Sequence, residues 1–192
     1  MKLVTNPMNE AHLNEGGKLT VWRTEGPLED MALELSANLT ADGERLVVVD
    51  AAGCFDPSRI SRAAASLARN LHVVRAAHGD DLETALWPAL QTAQQKSPVR
   101  RILIVGMLDR LYGRDLLTRE AARALGRMKL VLEELTRSGL DVVVVCKAER
   151  AEPQAMGART YLLSSLCAAA SEVRQWPLTA QQYIDGASAA IA

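Results

Sequence analysis

Five short apolar runs, rich in valine and isoleucine, are spaced along the chain: Leu19 to Trp22, Leu46 to Val49, Leu71 to Val74, Ile102 to Val105 and Leu140 to Val145. Between them lie longer alanine- and leucine-rich segments with amphipathic spacing. Runs without polar alternation suit strands buried on both faces, as a parallel sheet requires. Parallel strands need long crossovers, and the amphipathic segments are long enough to be helices. The expected fold is therefore α/β, a doubly wound, mostly parallel sheet with helices on both faces. Helix starts are marked at Gly26-Pro27 before Leu28, Asp56-Pro57 before Ser58, Gly79-Asp80 before Asp81, and Thr118 before Arg119-Glu120. A final helix over about 155 to 170 leads into Glu172 to Trp176, read as a last strand. At 192 residues one well-packed domain is expected, taken as 16–185, with a flexible N-terminal segment 1–15 and a flexible tail 186–192.

Composition narrows the function classes. A net charge of -1 removes the whole-protein argument for non-specific affinity to nucleic acid or membrane, so any polyanion site must be local. The three cysteines, Cys54, Cys146 and Cys167, are widely separated and form no Cys-x-x-Cys pair. Neither a disulfide framework nor a zinc site is indicated, and a reduced, cytoplasmic setting is expected. No apolar run approaches the roughly 20 residues needed to span a bilayer, and no leader pattern is visible. His12, His72 and His78 are isolated from one another and from paired acids, so no metal is expected. Neither a Gly-x-Ser-x-Gly elbow nor a reactive-cysteine setting occurs.

In such a sheet, ligands sit beyond the carboxyl ends of the strands. After the first run the chain continues Arg23-Thr-Glu-Gly-Pro-Leu-Glu-Asp30 into a helix. A phosphate-binding loop at this place would be glycine-rich and carry a lysine. This one has a single glycine, no lysine, and Glu29 and Asp30 in the first helical turn. Those acids suit the helix dipole and repel a triphosphate. The second run climbs to Asp50, a residue type suited to catalysis, and is followed by Ala51 and Ala52.

The run Val49-Asp50-Ala51-Ala52-Gly53-Cys54-Phe55-Asp56-Pro57-Ser58-Arg59-Ile60 resembles the segment after the phosphate-binding helix in RecA-like recombinases of the RadA type, roughly D-T-E-G-T-F-x-P-E-R. Further on, Ile102 to Gly106, Leu111-Tyr112, Arg114-Asp115, the segment Arg119 to Arg137, and Leu140 to Lys147 follow that family's second nucleotide motif, first DNA loop, long helix and sensor strand in order and spacing. The resemblance covers about residues 16 to 147 and implies a RecA-like core. It also implies what is missing. The family's phosphate-loop lysine and hydroxyl have no counterpart around Leu28, its water-activating glutamate falls on Ala52, its magnesium-associated aspartate on Gly106, and its sensor glutamine on Lys147. Phosphoryl transfer depends on positioning and charge neutralisation, so losing these together leaves nothing to lower the barrier. The expectation is a pseudo-ATPase with no cofactor, and Asp50 is read as a strand-end carboxylate or helix cap.

The role implied is that of an accessory or regulatory protein in DNA recombination or repair, acting through a protein partner such as a RecA-like ATPase or another repair factor, or as a homo-oligomer. A motor subunit binding nucleotide in an altered pocket, with Lys147 supplying charge, stays open, as does a regulator of another assembling NTPase. Arg119, Arg123 and Arg127 recur every four residues, placing three guanidiniums along one helical face. With Arg110 and Arg114 in the segment resembling the first DNA loop, and Arg150 and Arg159 near the counterpart of the second, they are candidate contacts to DNA phosphates, weak and blind to sequence. The competing reading is a solvated face laced with Asp109, Asp115, Glu120, Glu133 and Glu134. Large aromatics are scarce, so Trp22, Trp87, Tyr112 and Trp176 are the candidate partner anchors.

Overall fold

A computed structural model describes residues 17–40, 43–56, 59, 69–76, 86–87, 91, 99–112, 118–148 and 156–176. The expected segments 1–15 and 186–192, and the helix starts at Pro57-Ser58 and at Gly79-Asp80, lie outside the described residues. The elements in chain order are β1 (Leu19–Thr24), α1 (Leu28–Leu39), β2 (Arg45–Asp50), β3 (Leu71–Arg75), β4 (Val99–Val105), α2 (Met107–Tyr112), α3 (Thr118–Arg137), β5 (Asp141–Lys147), α4 (Met156–Ala169) and β6 (Glu172–Trp176). The six strands among the described residues join one sheet in the order β3-β2-β4-β5-β1-β6, and each of their pairings is parallel. This is the α/β fold expected from the alternation, and it is consistent with a doubly wound RecA-like core.

Side chains alternate across the sheet, so each strand feeds two apolar layers. Trp22, Leu46, Val48, Leu103, Val105, Val143 and Val145 share one cluster with Met31, Leu35 and Leu39 of α1. Their sequence neighbours Val21, Val47, Val49, Ile102, Ile104, Val142 and Val144 share the other with Leu125, Leu132 and Leu135 of α3 and Leu162 and Leu166 of α4. The amphipathic period of α3 explains its seat: Ala121, Leu125, Met128, Leu132 and Leu135 recur at three- and four-residue steps and are buried. Among the described residues, no helix is long and apolar enough to cross a membrane.

The order of connections positions the candidate site. From β1 the chain crosses on the α1 face to β2, past β5 and β4; from β5 it crosses on the opposite face, through α4, to β6. The carboxyl ends of β1 and β5 thus lie where connections diverge to opposite sides, the usual place for a crevice. The register brings Thr24 beside Lys147, Asp50 beside Val105, and Val105 beside Val145 along this edge.

Two charged residues are buried at the opposite edge. Arg101 donates from Nη1 to the Leu39 carbonyl at 2.9 Å and lies 3.3 Å from Glu44 Oε2, tying β4 to the end of α1. Its register partner Asp141 accepts from the Lys18 amide at 3.3 Å. Burial raises the Asp141 carboxyl above its ordinary pKa, against the opposing pull of the Lys18 amide and Arg101. A carboxyl with a raised folded pKa binds its proton more tightly when folded. Its contribution to stability is present below the unfolded pKa and is lost as pH rises through the folded value. Asp141→Asn should therefore be more stable than the parent at neutral pH and lose part of the decline in stability that the parent shows as pH rises from the acid range. Urea denaturation across that range measures it; a less stable variant at neutral pH would contradict the sign.

Candidate functional site

The carboxyl edge of the sheet is held together by its own groups. In the β1–α1 connection, the buried Thr24 accepts the Gly26 amide on Oγ1 at 2.9 Å. A Cβ on Gly26 would sit 3.4 Å from the ring of Trp176, so β6 covers this turn. α1 starts after Pro27 without a side-chain cap, and its first turn carries Glu29 and Asp30. Arg59, from the segment after β2, reaches both acids: Nη1 lies 2.7 Å from Glu29 Oε1 and Nη2 3.2 Å from Asp30 Oδ1. The two acids complement the dipole at this helix terminus, and the exposed Arg59 guanidinium pairs with both. Leu28 is buried in the core on the α1 side.

Asp50 is fully buried at the end of β2. Oδ1 accepts the Cys54 amide at 3.1 Å and Oδ2 the Phe55 amide at 3.0 Å. Arg75 Nε lies 3.9 Å from Oδ2, and its Nη2 donates to the Phe55 carbonyl at 3.2 Å. The carboxylate therefore folds the chain after β2 back on itself and delivers Phe55 into the α1-side core. Each of its oxygens accepts a backbone amide of the turn, so Asp50 stands here as a strand-end carboxylate that closes the turn after β2.

The two positions that the resemblance assigns to lost carboxylates, Ala52 and Gly106, meet. Ala51 and Ala52 both donate their amides to the Val105 carbonyl, at 2.9 and 3.2 Å, while Gly106 donates to the Val145 carbonyl at 2.9 Å. Gly106 has φ +70°. A Cβ there would overlap the Cβ of Ala52 and lie 3.2 Å from its amide nitrogen and 3.3 Å from its Cα. Only glycine fits, for conformation and for space. Lys147, the fourth position, is exposed at the end of β5.

Burial raises all three thiols above the ordinary range. Cys54 is pushed up to about 11, by burial first and then by the Asp50 charge. Cys146 rises to about 12, chiefly by burial, and Cys167 is raised by the same cause. Among the described residues, no group of three or more His, Cys, Asp or Glu side chains is placed to hold a metal ion. His72 is exposed on β3, and His12 and His78 lie outside the described residues.

Arg119, Arg123 and Arg127 are all exposed on α3. That helix leads from the carboxyl edge, where β4 ends, to the amino edge, where β5 begins. Arg110 lies in α2 and Arg159 in α4, whereas Arg114 and Arg150 lie outside the described residues. Of the aromatic anchors, Trp22 must be corrected. It is only 3% exposed because its side of β1 lies under α1, and Arg174 stacks over its ring at 5.4 Å. Trp176 is half-buried against the same core, Trp87 is 47% exposed, and Tyr112 lies in α2. The arrangement also includes residues that patterning had not singled out. Arg59 and Arg75 act across sequence separations that no local motif encodes. Leu130 was visible in principle, as an apolar residue at the centre of the polar face of α3. No family model matches this chain, and no characterised protein matches it at a significant level.

Gly106→Ala should destabilise the protein by about 2–5 kcal/mol, from left-handed backbone strain plus overpacking against Ala52. Adding Ala52→Gly should return the overpacking part, about 1–3 kcal/mol, and leave the strain. Denaturant unfolding of the two variants measures both; full tolerance of Gly106→Ala would contradict the contact. Cys54, pushed up to about 11, should react with iodoacetamide at pH 8 about tenfold more slowly than an unperturbed thiol, its much smaller thiolate fraction being partly offset by a more nucleophilic thiolate. Mass mapping of a labelling time course reads that rate.

Proposed function

We propose that this chain is a RecA-like domain without ATPase activity of its own, acting through protein contacts as an accessory or regulatory component of DNA recombination or repair. The observation that carries the reading is the contact of Ala52 with Gly106. At the two places where the resemblance expects a base and a metal carboxylate, the chain has small residues packed on each other, with backbone hydrogen bonds closing the gap. The Arg59 clamp on Glu29 and Asp30 supports it from the phosphate side. Phosphoryl transfer needs a phosphate cradle, a metal and an oriented nucleophile acting together. A domain without that chemistry has shape as its remaining output, and shape acts by being recognised.

Titration calorimetry with ATP and magnesium should give no saturable heat in the micromolar range, and no turnover should depend on this chain. Ala52→Glu should not create activity, because the cradle is still absent. Micromolar binding would favour instead a nucleotide-binding subunit with an altered pocket in which the exposed Lys147 supplies charge. Co-purification from native cells should recover a RecA-like ATPase or another DNA-repair factor; recovery of an unrelated NTPase would move the regulatory role outside DNA metabolism.

A further inference from the structure

The strand order leaves β6 at an edge: among the described residues it pairs with β1 alone. Which of its backbone groups face outward follows from β1. The Lys18 and Thr24 carbonyls accept the Val142 and Ala148 amides on the β5 side, and backbone direction alternates along a strand, so Leu19, Val21 and Arg23 face β6. Glu172 stands opposite Thr20 and Arg174 opposite Trp22, and in a parallel ladder each bonds the residues that flank its partner. Glu172, Arg174 and Trp176 therefore turn their amides and carbonyls toward β1, and Val173 and Gln175 turn theirs outward. Both outward residues are exposed, Val173 at 44%. On the side of the strand that covers Trp22, Arg174 donates to Glu172 from Nε to Oε1 at 2.7 Å and from Nη2 to Oε2 at 3.0 Å. An edge that presents unpaired amides and carbonyls is a template for another strand.

We propose that β6 pairs antiparallel with β6 of a second copy of the chain, about a two-fold axis through Val173, so that the sheet continues from one copy into the other. Outward residues must meet outward residues, which places the axis on a residue and not between two. With the axis at Val173, its amide and carbonyl meet those of its counterpart, and Glu172 of each copy stands opposite Arg174 of the other. These charged positions are then non-hydrogen-bonded pairs, where side chains across the strands come closest. Opposite charges set directly across an antiparallel pair are favourable and like charges are not. Moving the axis to Arg174 sets arginine against arginine, and moving it to Glu172 sets glutamate against glutamate. Charge thus selects one register, and in that register the exposed Val173 is covered by itself. The contact is self-complementary, as a two-fold interface requires. Pro177, with no amide hydrogen to offer, limits the pairing at its carboxyl end. One short strand pair buries a small area, so the dimer belongs to the weak, concentration-dependent class. The pairing does not depend on whether nucleotide binds.

Sedimentation equilibrium of the full chain over a concentration series should show a monomer passing to a dimer and to nothing larger. Glu172→Arg and Arg174→Glu should each weaken self-association by about tenfold or more, because each sets like charges across the strands. An equimolar mixture of the two variants should associate to within about threefold of the parent, because the mixed pair again sets opposite charges across from one another. Both variants break the internal Arg174–Glu172 pair, so a purely structural role for that pair gives no recovery on mixing. Val173→Pro removes an amide that β1 does not use and the dimer does; it should abolish association and leave the monomer with a cooperative melting transition. Amide exchange at Val173 should slow as the concentration of the parent rises. A monomer at every concentration, no recovery in the mixture, or species that grow beyond the dimer would overturn the proposal. So would Val173 exchange that is slow at every concentration; the edge would then be covered within the chain.

Discussion

One carbonyl, that of Val105, accepts the amides of both Ala51 and Ala52, and the rest of the carboxyl edge is arranged around that junction. It ties the end of β2 to the end of β4 and fixes how closely the two chains approach. Once they are this close, the residue after Val105 has room for no side chain, and its backbone turns left-handed at φ +70°. Glycine adopts that conformation without the roughly 1–2 kcal/mol that another L-residue would incur. The small side chain of Ala52 and the missing one of Gly106 are two halves of a single packing solution.

Asp50 sets the other side of the junction. A fully buried carboxylate is costly to desolvate, and two amide donors with a nearby guanidinium offset that cost. Removing the carboxylate would leave two amides in search of partners, each worth about 1–3 kcal/mol when buried and unsatisfied. The interaction is thus chiefly structural: it closes the turn, buries Phe55, and brings the following segment to where Arg59 can hold the first turn of α1. An acid at a strand end, read alone, suggests catalysis. Here each of its oxygens accepts a backbone amide of the turn.

How far the sequence anticipates this depends on the range of each interaction. The strands, and the helices starting at Leu28, Thr118 and Met156, were legible because apolar periodicity is local: the runs at Leu19, Leu46, Leu71, Ile102 and Leu140 each became a strand, and the run at Glu172 became the sixth. The strand-end reading of Asp50 has local partners, Cys54 and Phe55, four and five residues away. The Ala52–Gly106 contact and the Arg59 clamp join segments far apart in the chain, and only the strand order brings them together. Trp22 shows the same limit from the other side. A lone tryptophan in a strand can face core or solvent, and α1, docked by the crossover, decides it.

Amide hydrogen exchange along the carboxyl edge, with and without ATP and magnesium, tests most directly whether this edge is sealed. The amides of Ala51, Cys54, Phe55 and Gly106 should be protected in the free protein, and nucleotide should change neither them nor Gly26. Rapid exchange at Cys54 and Gly106 in the free protein, or slowing at Gly26 and Gly106 when nucleotide is added, would show an open crevice and contradict the account.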